Sequence, residues 1–177
     1  MHYINTYASP LGGITLASDG EKLTGLWFDG QKYFGAALGG ERRFRDLPIF
    51  ERTGRWLDGY FRGEIPDSIP PLSLAGSPFR RAVWEILLEI PYGEVMTYGE
   101  IARRMALRKG LTSMSAQAVG GAVGHNPVSI IVPCHRVVGT NGSLTGYAGG
   151  IDKKIGLLAL EGVDTGRFFV PEKGTAL

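Results

Sequence analysis

The sequence predicts a mixed α/β (α+β) protein in two parts. A small sheet-plus-helix domain is expected over residues 1–74, and a mostly helical domain with a helix-turn-helix of winged-helix type over residues 75–177. Three observations carry this reading. Alternating apolar segments with tight-turn signals are confined to residues 3–28. A stretch holding Pro66, Pro70, Pro71 and Pro78 then continues neither a helix nor a central strand, so it reads as a linker. Beyond it, helix-start signatures follow one another closely.

Tyr3 to Ala8 is a short, mixed strand candidate. Gly13 to Ser18 alternates, and Asp19-Gly20 offers a tight turn into Leu23–Phe28, giving a hairpin. Pro48 opens a helical pattern in which Phe50, Trp56, Leu57, Tyr60 and Phe61 recur at helical spacing. These aromatic residues read as core. After the linker, Ser77-Pro78 is an N-cap followed by proline at the first helical position. Val83, Ile86, Leu87 and Ile90 form an apolar stripe that Pro91 ends. Thr97-Tyr98-Gly99-Glu100 has capping-box spacing and opens a helix to about Leu107. Ser115 caps a second helix, Ala116 to about His125, which Asn126-Pro127 stops. Two short helices across a loop suggest the helix-turn-helix, and Gly120, Gly121 and Ala122 let the second one approach another surface closely. Val128–Pro133 reads as a short buried strand that delivers Cys134, His135 and Arg136. A loop from Gly139 to Gly150 follows, with Tyr147 its only large side chain, and then a last helix that Asp152 caps and Glu161-Gly162 ends.

Composition sets the outer bounds. Of 177 residues, 44% are hydrophobic and 20% charged, which excludes a disordered or fibrous chain. No apolar run reaches the ~18 residues of a membrane span, and no signal peptide is visible, so a soluble, cytoplasmic monomer without membrane partners is expected. The single cysteine excludes an intramolecular disulfide framework and every Cys-pair zinc motif, and no metal site is expected. Net charge is only +2, but it is uneven. Residues 1–74 carry eight Lys/Arg against nine Asp/Glu, residues 75–177 eleven against eight. Arg103, Arg104, Arg108 and Lys109 cluster within the second part, where the run taken alone reads first as a solvated helix end.

Cys134 is the candidate nucleophile, with His135 next to it. A free cysteine behind an apolar strand is most often a small buried hydrophobe. A functional thiol needs a base and a group to orient that base. Neighbours on an extended chain point to opposite faces, so a Cys134–His135 relay requires a turn there or a bridging water. Glu161, Asp152 and Asp164 are all possible orienting acids, and spacing does not choose between them. Asn126 is equally readable as a helix stop, and Tyr98 as a packing residue.

Together these residues resemble a known family. Ile131-Val132-Pro133-Cys134-His135-Arg136-Val137-Val138 closely resembles the active-site signature of the O6-alkylguanine-DNA alkyltransferases (methylated-DNA–protein-cysteine methyltransferases). Ile90-Pro91-Tyr92-Gly93-Glu94-Val95 through Tyr98 resembles the family's helix-entry segment. Ala118-Val119-Gly120-Gly121-Ala122 through Asn126-Pro127 resembles its recognition helix and hinge. Gly146-Tyr147-Ala148-Gly149-Gly150 and Leu157-Leu158 through Glu161-Gly162 fit the substrate loop and last helix. Ser9-Pro10-Leu11-Gly12 and Leu23-Thr24-Gly25-Leu26 resemble the smaller N-terminal, ribonuclease H-like domain.

The resemblance implies repair of double-stranded DNA by single-turnover transfer of an alkyl group from O6-alkylguanine, and possibly O4-methylthymine, to Cys134. His135, through a water, accepts the thiol proton, Glu161 holds and polarises His135, and Asn126 stabilises the hinge. Tyr98 donates to N3 of the departing guanine. Backbone at Cys134, Val137 and Ala148 reads the base edge, Tyr147 walls the pocket, and Val123 and Ser129 set its size. Gln117, Ala118, Gly120, Gly121, Arg136 and Thr140 are the implied DNA contacts, made in the minor groove. No cofactor is implied, because the DNA is the donor and Cys134 the acceptor.

The chain departs from the family pattern at two places. Many members carry arginine where Gln117 stands, filling the gap left by the flipped base, and Gln lacks its charge and stacking plane. The loop Arg108 to Ser113 is also longer than usual. A non-catalytic module that flags alkylated bases is the runner-up, against which Cys134 itself argues. A Cys-His hydrolase on small molecules would leave the helix-turn-helix without a purpose.

Overall fold

The computed structural model describes residues 1–36 and 38–172. The chain forms two compact units. The first is Met1–Ala75 together with Pro127–Ile131, and the second is Gly76–Asn126 with the chain from Val132 onward. Residues 127–131 thus group apart from the sequence on either side of them.

In the first unit, β1 (His2–Ser9), β2 (Gly12–Ser18) and β3 (Leu23–Phe28) form an antiparallel meander. A short strand, β4 (Arg42–Phe44), adds parallel to β1, giving the order β3-β2-β1-β4. β4 carries no sequence signature, because all three of its residues are exposed on the edge of the sheet. Every residue of β3 is buried although the strand ends the sheet order, and single bridges from Leu72 and Val128 meet its outer edge. Helix α1 (Pro48–Phe61) begins with proline in its first turn and buries Ile49, Phe50, Thr53, Leu57 and Tyr60. The end of the Pro-rich segment is fastened to β3, since Leu23 N donates to the Pro71 carbonyl and Ser73 N to that of Leu23.

The expected strand Val128–Pro133 does not form. Leu26 N donates to the Pro127 carbonyl and Ser129 N to that of Leu26, so only Val128 lies opposite a partner. The chain then turns tightly, with Ile131 N donating to the Ser129 carbonyl and Ile130 at φ +70°. A β-branched residue in that region is strained. The apolar run did report burial correctly, since residues 128–132 are all at most 4% exposed. Burial alone cannot specify an extended backbone when no further strand edge is present, and Pro133 has no N–H to give.

In the second unit, α2 (Pro78–Leu87), α3 (Tyr98–Arg108) and α4 (Ala116–Gly124) start where their caps predict. Ser77 accepts from Arg80 N, Thr97 and Glu100 complete a capping box, and Ser115 accepts from Ala118 N. Their shared core contains Val83, Trp84, Ile86, Leu87, Ile101, Met105, Val119 and Val123. The Trp84 indole N–H, which must find an acceptor when buried, donates to the Ala122 carbonyl at 2.9 Å and so fixes α4 against α2. A two-residue parallel ladder joins β5 (Met96–Thr97) to β6 (Val137–Val138). Helix α5 (Ile151–Leu160) is preceded by Gly150 at φ +97°, and Asp152 lies in its first turn rather than at the cap. A second apolar cluster of Val138, Leu144, Leu158 and Val163 fixes α5 behind β6. Among the described residues, no helix is long and apolar enough to cross a membrane.

Candidate active site

The turn that a Cys–His relay requires is present. Cys134, His135 and Arg136 form a single 3-10 turn between Pro133 and β6. Cys134 is only 4% exposed. Asn126, just beyond the end of α4, donates from Nδ2 to the Val132 carbonyl at 2.8 Å and to Cys134 Sγ at 3.1 Å. One buried amide thereby ties the end of α4 to the turn and touches the sulfur.

Behind the thiol lies a buried ionic cluster. His135 Nε2 is 2.6 Å from Glu161 Oε1, and both side chains are fully buried. The same carboxylate accepts from Arg136 Nε at 2.8 Å, from Arg136 Nη2 at 3.0 Å and from Gly93 N at 3.2 Å. Arg136 Nη1 donates to the Ile90 carbonyl at 2.6 Å, and its guanidinium lies over the Tyr92 ring. Of the three acids that the spacing allowed, Glu161 is thus the one that meets His135.

The electrostatics follow from burial and partners. Burial pushes the Glu161 carboxyl up, but hydrogen bonds from His135 and Arg136 outweigh it and hold the group well below the usual carboxylate range. An ionised carboxylate only accepts, so His135 Nε2 carries the hydrogen. Burial lowers the His135 pKa against the opposing pull of Glu161, which leaves a neutral ring with its lone pair on Nδ1. Burial raises the Cys134 thiol, although the Asn126 hydrogen bond and Lys154 oppose it. Burial thus favours the neutral form of both the Cys134 thiol and the His135 ring, which Glu161 orients.

Lys154 is the residue the sequence reading missed. It is fully buried on α5 and donates from Nζ to the carbonyls of Val137, at 2.6 Å, and Thr145, at 2.9 Å. Asp152-Lys153-Lys154 looks like an ordinary charged helix start. The signal was spacing, because Lys154 precedes Leu157 and Leu158 by three and four residues and so shares their inward face. Burial lowers its pKa to about 8, with Cys134 opposing.

Tyr98, the first residue of α3, donates its hydroxyl to the Thr145 carbonyl at 3.1 Å. Burial, and then the nearby Cys134, raise its pKa, so it remains a donor. Gly146 has φ +76°, and a Cβ there would stand 2.7 Å from the Tyr98 hydroxyl. Both the backbone conformation and the space require glycine. Tyr147 is buried, and Ala148 is half-buried on the same loop.

The outer residues divide. Gln117, Ala118, Gly121 and Thr140 are exposed and Gly120 half-buried, with its Cβ position 3.8 Å from the Tyr98 ring. Val123 is buried in the helical core and Val137 in β6. Arg136 does not face outward as a DNA contact, because its guanidinium is committed to Glu161, Ile90 and Tyr92. The Ser129 hydroxyl is held within the first unit, where it donates to Gln31 Oε1 at 3.1 Å. The basic run is also partly paired, with Arg104 and Arg108 on Glu89 and Lys109 over the Phe79 ring.

Comparisons with known proteins match both parts of the chain. Residues 78–163 match the DNA-binding domain, and residues 2–74 the ribonuclease-like domain, of 6-O-methylguanine DNA methyltransferase. A methylated-DNA–protein-cysteine methyltransferase of Haemophilus influenzae is 42% identical over 160 residues, covering 90% of this chain and 86% of the relative. One of the same name from Mycobacterium bovis is 44% identical over 161 residues, covering 91% and 92%. The crystal structure of Mycobacterium tuberculosis OGT in complex with DNA superimposes with a TM-score of 0.79 at 42% identity, covering 94% of each chain. The chain belongs to the O6-methylguanine-DNA methyltransferase family.

Proposed function

We propose that this protein repairs alkylated DNA by moving the alkyl group of O6-alkylguanine irreversibly onto Cys134. The observation that carries the proposal is the buried His135–Glu161 pair, whose histidine stands on the same turn as the sequence's only thiol. In the reaction the bond between O6 and the alkyl carbon breaks as the S–C bond forms. The thiol proton passes to His135 Nδ1 through a water, and guanine, which leaves with the O6 electron pair, regains one proton overall. Glu161 stabilises the imidazolium while it exists, by the logic of a hydrolase triad. Tyr98 exchanges its Thr145 carbonyl for N3 of the base and donates there. A thioether has no acyl carbon for water to attack, so the protein acts once.

A base inside a duplex is out of reach of Cys134, so it must be flipped, at a few kcal/mol that damage itself reduces. We assign chemistry and DNA binding to residues 75–177, with the exposed edge of α4 (Gln117, Ala118, Gly121) in the minor groove and Thr140 near the backbone. Tyr147, Ala148 and Val137 line the base site. The substrate places the protein in the compartment that holds the chromosome, the cytoplasm in a cell without a nucleus.

Intact-protein mass spectrometry tests the proposal. After incubation with excess duplex carrying one O6-methylguanine, each chain gains at most one methyl group, and C134S gains none. Tight lesion binding without any gain overturns transfer in favour of a damage-flagging module.

A further inference from the structure

Helix α1 covers one face of the sheet in the first unit, where the Tyr7 hydroxyl donates to Asp58 Oδ1 at 2.7 Å. The opposite face carries Ile4, Ala17 and Trp27, which cluster with Leu38. Paired residues of neighbouring strands share a face, so Phe44, opposite Ile4, and Arg42, opposite His2, stand on this second face too. Phe34 tilts against Trp27, with ring centroids 5.6 Å apart. Arg42 donates from Nη2 to the Leu38 carbonyl at 3.4 Å, and its Nη1 lies 3.3 Å from the Cβ position of Gly35. These contacts join β4 to the turn that holds Tyr33 and Phe34. Three aromatic residues of this region stay at the surface, Phe44 at 69% exposure, Tyr33 at 42% and Phe34 at 40%. The reaction at Cys134 uses none of them.

A contiguous set of exposed apolar rings marks an interaction surface, and the charge around it identifies the partner. Residues 31–46 hold four Lys/Arg against two Asp/Glu, whereas the rest of residues 1–74 hold four against seven. The cations of the first unit are thus gathered where the rings are. Of the two acids, Glu41 pairs with Arg43, and Asp46 accepts from Asn5 Nδ2 beside the start of α1. Lys32 Nζ lies 5.5 Å from the centroid of the Tyr33 ring, which places an ammonium next to any flat group that stacks there. A single strand offers planar bases and anions at every step and so answers both features at once. We propose that this face of the first unit binds single-stranded nucleic acid, with Phe44 and Tyr33 stacking on unpaired bases and Arg42 and Lys32 meeting phosphates. A duplex keeps its bases stacked inside, so the site selects unpaired strand. Stacking accepts every base, and sequence preference is therefore weak. The site is independent of the reading of Cys134, since no bond is made or broken at it.

The test is a fluorescence-anisotropy titration of the full chain with a labelled oligothymidylate of about 12 nucleotides, a usual site size for single strands. Excess unlabelled, lesion-free duplex is present to occupy the duplex-binding helices. F44A weakens binding about fivefold or more, and Y33A/F44A weakens it further. K32Q lowers the slope of log affinity against log salt by about 0.7, the share of one phosphate contact on a single strand. Ultraviolet crosslinking of the same oligonucleotide to wild type needs no variant to fold, and it labels peptides that contain Tyr33 or Phe44. Crosslinks confined to residues 75–177, or equal affinity of wild type and Y33A/F44A, overturn the proposal. A wild-type dimer that Y33A/F44A dissolves, with strand binding unchanged, makes the face a contact between copies and overturns it equally. Failure of the alkyl-transfer reading is separate, since it is seen as wild type gaining no methyl group from O6-methylguanine duplex.

Discussion

Replacing Glu161 by glutamine keeps the shape of the side chain and removes one charge and one acceptor. The native carboxylate receives hydrogen bonds from donors that include His135 Nε2, Arg136 Nε and Nη2, and Gly93 N. An amide offers one acceptor oxygen, and its NH2 must face a donor wherever it turns. Arg136 keeps its charge, and its side chain is only 11% exposed. Breaking a buried pair in this way costs about 3–5 kcal/mol. At roughly 2–4 °C per kcal/mol for a chain of this size, E161Q melts roughly 6–20 °C lower at neutral pH. The pH dependence has a fixed sign. The folded-state pKa of Glu161 lies below its unfolded value near 4.3. Its contribution is therefore fully present above that value and disappears as pH falls through the folded one. The gap between wild type and E161Q is widest at neutral pH and narrows in acid below about pH 4. Circular-dichroism melts of both proteins from pH 7 downward measure it. A difference below about 2 °C at neutral pH, where one kcal/mol already moves the midpoint that far, refutes the reasoning.

Three further outcomes are expected. G146A forces a Cβ into the Tyr98 hydroxyl at a left-handed backbone position, costing at least about 1–2 kcal/mol and lowering the transfer rate more than duplex affinity; an unchanged single-turnover rate contradicts the placement of Tyr98. Methylated Cys134 overpacks a site where Asn126 Nδ2 already stands 3.1 Å from the sulfur, so the alkylated protein loses about 1–3 kcal/mol of stability, and an unshifted melting curve counts against this. Q117R does not reduce duplex affinity, because Gln117 is exposed at the start of α4; a clear loss in a fluorescence-anisotropy titration shows that the helix docks differently.

What the sequence discloses depends on how local the physics is. The caps at Ser77, Thr97–Glu100 and Ser115 act within three residues, and all three helices start where those residues say. Val128–Val132 shows the opposite case. Its apolar character reports burial, but whether the backbone pairs or turns depends on Leu26, distant in sequence. Arg136 fails for the same reason, since nothing adjacent to it reveals that its charge belongs to Glu161, 25 residues away. Glu161 could be chosen only after the turn at Cys134 had set the direction of His135. β4 has no local signal at all, because an exposed edge strand of Arg42, Arg43 and Phe44 follows from the ladder with β1 alone. Lys154 was legible by helical period, and its charge concealed it.

The ladder between Met96–Thr97 and Val137–Val138 has a consequence for fidelity. Thr97 caps the helix that begins with Tyr98, and Val137 directly follows the turn that holds the thiol. The arm proposed to meet the base and the arm proposed to attack it are thus joined at their roots by one pair of rungs, like the two jaws of a gauge. Joined at the root, such jaws set the gap between them. A protein that acts once has no second chance to correct an error, so discrimination must be complete before the sulfur is reached. Admission to the gap is then a step at which a wrong base is refused.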